Sequence, residues 1–206
     1  IGRADSNSAI TALALTLGND LTLTSGTAAI NLASVTGAGF DLSLNSTGTT
    51  TLGGAITGVD ALTTNAGGTT AINANVSATT QTYNDGITLG GTAGEARTLS
   101  GTSIDIKSGV TAGSHNLTLE ADTLAVAGSS TADAGVGVTL RTQTADRTIG
   151  LAGGAGDTSI SQATLNALGG ASGFRSITVG AGNGAITANA LSLNTALILN
   201  AGTADI

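Results

Sequence analysis

Cysteine, proline, methionine and tryptophan are absent from this 206-residue chain, and aromatic residues make up only 1% of it. Without Cys there are no disulfide staples and no thiolate metal ligands. Without Pro nothing removes a donor from a hydrogen-bonded ladder. Phe40, Tyr83 and Phe174 are the whole aromatic complement, too little to fill a thick globular core. Ile, Leu, Val and Ala must do it, which suits a core one or two side chains wide. Charge is scarce as well, at 9% against roughly 25% in an average domain. The six basic residues (Arg3, Arg97, Lys107, Arg141, Arg147, Arg175) are scattered and the net charge is −7. Phosphate recognition needs clustered Lys and Arg, so nucleic acid is not the expected partner. No apolar run approaches the ~20 residues of a membrane-spanning helix, so membrane insertion is not expected either.

What the chain does have is one phrase repeated: apolar residues in alternation, then a Gly/Thr/Asn/Ala turn. The bursts are Leu13–Leu17, Leu21–Leu23, Ile30–Leu32, Leu42–Leu44, Ile87–Leu89 and Ile104–Ile106, then Leu117–Leu119, Leu124–Val126, Val138–Leu140, Ile177–Val179, Leu191–Leu193 and Leu197–Leu199. Alternation at period two turns one face of a short strand inward. Twelve such bursts with almost nothing helical between them predict a chain wound many times, a parallel β-helix. The residues expected inside are Leu15, Leu23, Ile30, Leu44, Ile72, Leu89, Ile106, Leu119, Val126, Leu140, Val179 and Leu193. Gly totals 32, a disorder signal, but 40% hydrophobic content argues for a packed chain. Asn84-Asp85-Gly86, Gly90-Gly91, Gly153-Gly154 and Gly169-Gly170 mark turns.

The repeat is degenerate. Gly26-Thr27-Ala28-Ala29-Ile30-Asn31 returns as Gly68-Thr69-Thr70-Ala71-Ile72-Asn73, 42 residues later, which reads as two coils of about 21. That match would put Asn31 and Asn73 in one column, where stacked carboxamides can form a ladder. At ~20–25 residues per coil the chain makes roughly nine turns, a rod about 40–45 Å long. Residues 1–206 read as one continuous solenoid and, with neither a Met nor a signal peptide, as a segment of a longer chain. Ser161–Leu168 departs from the rhythm: apolar spacing of three to four, a capping Ser and a following Gly-Gly predict a short helix.

Two stretches resemble the shaft repeats of very large filamentous-haemagglutinin-type adhesins, which are exported by two-partner secretion. One spans residues 66–91, around the core Gln81-Thr82-Tyr83-Asn84-Asp85-Gly86-Ile87-Thr88-Leu89. The other spans 158–188, with Ile160-Ser161, Leu165, Ile177-Thr178-Val179-Gly180 and Gly184-Ala185-Ile186-Thr187. The resemblance implies a right-handed parallel β-helix, secretion to the outer cell surface, and a role in adhesion, biofilm or filament building. It transfers no catalytic residue. The Asn-Pro-Asn motifs of that family's secretion domain are missing, so the segment is expected to be shaft.

The polar residues read mostly as structure. His115, the only imidazole, lies in Gly113-Ser114-His115-Asn116, a turn with no carboxylate pair beside it. Gly153-Gly154-Ala155-Gly156-Asp157 is similar to a calcium nonapeptide but brings its Asp one position early and occurs once, so it too reads as a turn. A polysaccharide-degrading β-helix enzyme would draw its acids from Asp105-Ile106-Lys107 and Glu120-Ala121-Asp122, yet no aromatic or basic groups gather to hold a sugar. An ice-binding solenoid would repeat Thr-x-Thr on every coil. Here Thr22/Thr24, Thr80/Thr82 and Thr142/Thr144 are the only widely spaced instances considered. The sequons at Asn45, Asn75 and Asn116 are about as many as chance supplies in a Ser/Thr-rich chain. No catalytic residue, cofactor or metal ligand is therefore expected. The favoured function is a non-enzymatic structural or adhesive shaft of a secreted fibre; the main alternative is a carbohydrate- or receptor-binding module reading its ligand through Ala163–Phe174. Neither end carries a visible cap, so the expected partners are further coils of a parent chain or end-to-end copies, with host or matrix glycans as further candidates.

Overall fold

The computed structural model describes residues 1–5, 7–180 and 182–203. Their strands are β1 (Ile10–Thr16), β2 (Leu21–Gly26), β3 (Ile30–Thr36), β4 (Leu42–Ser46), β5 (Thr49–Leu52), β6 (Ile56–Thr64) and β7 (Thr69–Ile72). Next come β8 (Val76–Tyr83), β9 (Gly86–Leu89), β10 (Arg97–Ser100), β11 (Ser103–Ile106), β12 (Val110–Thr111), β13 (Leu117–Glu120) and β14 (Thr123–Val126). The last are β15 (Gly137–Arg141), β16 (Ile149–Leu151), β17 (Thr158–Ile160), the helix α1 (Gln162–Leu168), β18 (Ser176–Gly180), β19 (Ile186–Ala188) and β20 (Ala196–Asn200).

Every pairing is parallel, between strands of successive coils. The result is a β-solenoid of about ten turns with one short helix, right-handed as parallel crossovers are. One face stacks β2, β4, β6, β8, β11 and β14. A second stacks β3, β5, β7, β9 and β12. The third and longest runs β1, β3, β6, β8, β10, β13, β15, β18, β20. The long strands β6 and β8 turn a corner between faces, and β6 carries a register shift between Ile56 and Val59 at that corner.

The interior is made of columns. Leu99, Leu119, Leu140 and Val179 lie one above another on the third face and are all fully buried. Leu23, Ile30, Leu44, Ile72, Leu89, Ile106 and Val126 are likewise inside, as alternation requires. Leu15 and Leu193 pack against this core but are only partly buried, because their rungs have a neighbouring coil on one side only. Outward on the third face the column is Thr98, Thr118, Thr139 and Thr178. Its neighbouring outward column holds Ser100, Glu120, Arg141 and Gly180, so the paired threonines of an ice-binding face are not formed.

Two sequence expectations are corrected. The 42-residue match is not two coils. Ile30 stacks on Thr50 and Thr50 on Thr70, so two coils take 40 residues there, and Ile72 lies above Leu52 and Leu32. Asn31 therefore stands over Thr51 and Ala71, and the Asn31–Asn73 ladder does not exist. Coil length varies more widely than the single period of ~20–25: Thr69 pairs with Gly86, 17 residues on, and Ile87 with Val110, 23 residues on.

The helix forms where its signals placed it. The Ser161 side chain accepts from the N3 amide of Thr164, and Gly169 closes the last turn on Leu165 O. It lies across β14: Thr164, Leu165, Ala167 and Leu168 are buried, and Ala167 O accepts the Ser130 N–H at 2.9 Å. It belongs to a long detour between β15 and β18, whose paired residues Gly137 and Ser176 are 39 apart. The detour also makes a small sheet, β17-β16-β19. Here β16 and β17 pair in parallel across only residues 152–157, far shorter than the usual crossover. Glycine permits it: a Cβ on Gly150 would sit 2.0 Å from Gly154 O, and one on Gly156 would sit 2.3 Å from Gly150 N.

Candidate functional site

The acids singled out in the sequence are held apart. Asp105 lies on β11 and pairs with Lys107 two residues on. Glu120 ends β13 and accepts from Arg141 Nε at 2.7 Å, one coil away. Asp122 sits at the next corner, its carboxylate accepting from Thr144 N at 2.9 Å and Thr144 Oγ1 at 2.6 Å, with Arg147 Nε at 3.7 Å. Burial works to raise the pKa of Asp122, but the Thr144 bonds and the Arg147 charge outweigh it and hold the group below the usual carboxylate range. Asp157 is also held low, by the Thr148 hydroxyl and amide. Each of these carboxylates is therefore committed to a structural partner.

The segment with the most specific resemblance turns inward. Tyr83 is fully buried and donates from its hydroxyl to Gln81 Oε1 at 2.9 Å; Gln81 Nε2 donates to Ser100 O at 2.8 Å. Asp85 is 5% exposed and accepts from Thr64 Oγ1 at 3.1 Å and Thr70 Oγ1 at 2.9 Å. These polar groups occupy the shortest coil, where hydroxyl and carboxylate fill space that Leu and Ile take elsewhere. Burial pushes the Tyr83 phenol far up, with the Asp85 charge adding to it. Burial also raises Asp85, and its Thr bonds offset only part of that.

A group with a folded pKa above its unfolded value binds more protons when folded. Its contribution to stability is then fully present below the unfolded carboxyl pKa of about 3.9 and is lost as pH rises through the folded value. We therefore expect Asp85→Asn to gain thermal midpoint relative to the natural chain at pH 7 compared with pH 3. Melting curves of both proteins at the two pH values check this, and a relative gain at pH 3 instead would contradict it.

His115 is buried at the predicted turn, closed by His115 N to Ala112 O at 3.0 Å, with its Nδ1 2.9 Å from Glu95 O. Arg97, unremarked in the sequence, is 4% exposed; its Nε donates to Gly90 O at 2.9 Å and its terminal nitrogens reach Glu95 Oε2 at 3.1 Å. Both residues fasten the 90–96 loop to the coil. Asn75 and Asn116 use their Oδ1 atoms to accept the Thr98 and Gly137 amides of the next coil at 3.0 and 2.8 Å. Asp20 and Asp41 serve the amides of Asp41 and Ala61 in the same way, each at 3.0 Å. Corner carboxylates and carboxamides thus supply ladder bonds where the turns interrupt the backbone's own.

The Gly153–Asp157 loop is the tight β16–β17 return, with the Asp157 carboxylate on Thr148 N and Oγ1 at 3.2 and 2.9 Å. Among the described residues no three His, Asp or Glu side chains gather as a metal site would require. No helix of the described residues is long and apolar enough to cross a membrane.

The largest concavity lies away from all residues proposed from sequence except Glu120. It is a groove of about 710 Å³ between the 142–147 loop and the outer surface of β15, β18 and β20. Ala163–Phe174, the segment expected to read a ligand in the binding-module alternative, does not line it. Much of that segment is core instead, with Phe174 1% exposed. Nothing local in the sequence announces the groove, because it exists only where the 39-residue detour folds back over the third face.

Compared with family models, curated proteins and solved structures, the chain gives no match. The parallel β-solenoid is compatible with a β-helix repeat adhesin.

Proposed function

We propose that this chain is a non-enzymatic shaft segment of a secreted or cell-surface bacterial fibre of the filamentous-haemagglutinin type, used in adhesion, biofilm or filament building. One observation carries the reading: an aliphatic interior of stacked columns is maintained rung after rung, while the acids, the imidazole and the Tyr are spent on fastening coils. Catalysis instead requires titratable groups converging on one accessible point. In this role the segment's partners are further coils of the same parent chain or copies stacked end to end, and its contribution is reach.

The test is a length-matched exchange. In the full-length fibre, this segment is replaced by an unrelated β-solenoid with the same number of coils, and surface display and fibre length are measured by electron microscopy. Both are expected to be unchanged; loss of display or a shortened fibre would contradict the shaft reading. A parallel arm replaces Asp105, Glu120 and Asp122 together by Asn, Gln and Asn. Polysaccharide breakdown by the natural chain that disappears in this variant would establish an enzyme instead.

A further inference from the structure

The groove beside β15, β18 and β20 has the construction of a binding site. Its wall is fixed before any ligand arrives. Thr144 is tied to Asp122 by two hydrogen bonds, Arg147 donates to Asp157 O at 2.7 Å, and Asp146 Oδ1 accepts the Asn183 amide at 3.0 Å across the groove's end. Asp146 holds a left-handed backbone (φ 59°) to make that contact, a strained arrangement that the surrounding bonds maintain.

The floor is open because of one missing side chain. Gly180 occupies an outward strand position between Arg141 on one rung and Asn200 on the next. Glycine inside a strand weakens it, and nothing here requires glycine. Its φ is not left-handed, and a Cβ would meet only Asn200 O at 3.9 Å. The Arg141 side chain leans the other way, toward Glu120, and so leaves the floor bare.

We propose that this groove binds a neutral oligosaccharide. Its volume of about 710 Å³ is within the range of small-ligand sites. Its lining offers hydroxyls from Thr139 and Thr178, carboxamides from Asn183 and Asn200, and the Arg141–Glu120 pair, whose guanidinium keeps N–H groups to spare. Such donors and acceptors side by side suit vicinal hydroxyls. Two carboxylates, Glu120 and Asp146, against one guanidinium disfavour a polyanion. The floor strands pair with each other and the lining has no large apolar side chain, so an extended peptide finds neither a ladder edge nor an anchor there. The proposal goes beyond the shaft reading and stands or falls separately: the segment exchange measures reach, whereas the experiment here measures binding.

The test titrates the isotopically labelled chain with neutral hexasaccharides of glucose, mannose and galactose, and with a heparin hexasaccharide as the polyanion. At least one neutral sugar should shift the amides of Thr139, Arg141, Gly180 and Asn200 saturably, with Kd on the order of 1 mM. Gly180→Val should weaken that binding at least about tenfold while keeping or raising the thermal midpoint, a combination that damage to the fold cannot produce. Arg141→Gln should also weaken it. Absence of saturable groove shifts with any neutral sugar at about 10 mM, binding of heparin alone, or unchanged affinity in Gly180→Val would each overturn the proposal.

Discussion

Truncating Leu119 to Ala destabilises the rod by about 2–5 kcal/mol, whereas truncating Thr118 beside it changes stability by less than about 0.5 kcal/mol. The two residues are neighbours in one four-residue strand and differ only in the face they present. Leu119 is fully buried between Leu99 and Leu140, so its removal leaves a cavity closed above and below by other leucines. A core this narrow has few side chains free to move in and fill it. Thr118 stands outward between Thr98 and Thr139, where loss of a hydroxyl and a methyl exposes little that was hidden. Urea unfolding of the two variants against the natural chain checks the contrast. Similar losses at both positions would mean that β13 does not alternate as described.

Gly101→Ala is expected to be nearly as damaging, at about 1–3 kcal/mol or more, although it adds a single methyl group. Gly101 lies in the bend between β10 and β11, and its Cβ would fall 2.0 Å from Ala78 O and 3.0 Å from Thr79 O on the preceding coil. Neither atom can retreat, because both belong to backbone that is itself stacked on further coils. Gly101 N also donates to Glu120 O on the following coil at 3.0 Å, so moving Gly101 breaks a bond on the other side. The control is Gly18→Ala, where no atom lies within 4 Å and φ is not left-handed. There the smaller entropy of the unfolded chain makes the change neutral or stabilising by up to about 1 kcal/mol. Thermal melts of the pair should separate them clearly; equal behaviour would contradict the close packing of successive coils.

Much of the fold was legible because burial in a β-helix follows a local rule. Alternation in Leu117–Leu119 or Val138–Leu140 says which side chain enters the core without reference to any other coil. Ser161 and Gly169 likewise announce a helix from its own ends. Register between coils is a different matter. Thr50 and Thr70 occupy inward positions above Ile30, so an apolar residue in one coil does not demand one in the next, and the best-matching phrases were two residues out of phase. Gln81, Tyr83 and Asp85 looked like a surface turn because their composition is polar. Their burial depends on Thr64, Thr70 and Ser100 from other coils. The groove was the least legible part, since its wall and floor come from segments joined only by the detour through β16, β17 and α1.

The most direct measurement of the account is a distance along the rod. Thr36 and Asn200 lie near opposite ends of the third face, on β3 and β20. Between them the face passes through β6, β8, β10, β13, β15 and β18, making seven inter-strand steps. At 4.7–4.9 Å per step these backbone positions are about 33–34 Å apart. Because the natural chain has no Cys, Thr36→Cys and Asn200→Cys accept a pair of spin labels without interference. Double electron–electron resonance should then give one narrow distribution centred near that separation, broadened only by the reach of the labels. A broad distribution, or a centre shorter or longer by several steps, would contradict the continuous parallel β-helix on which every other conclusion rests.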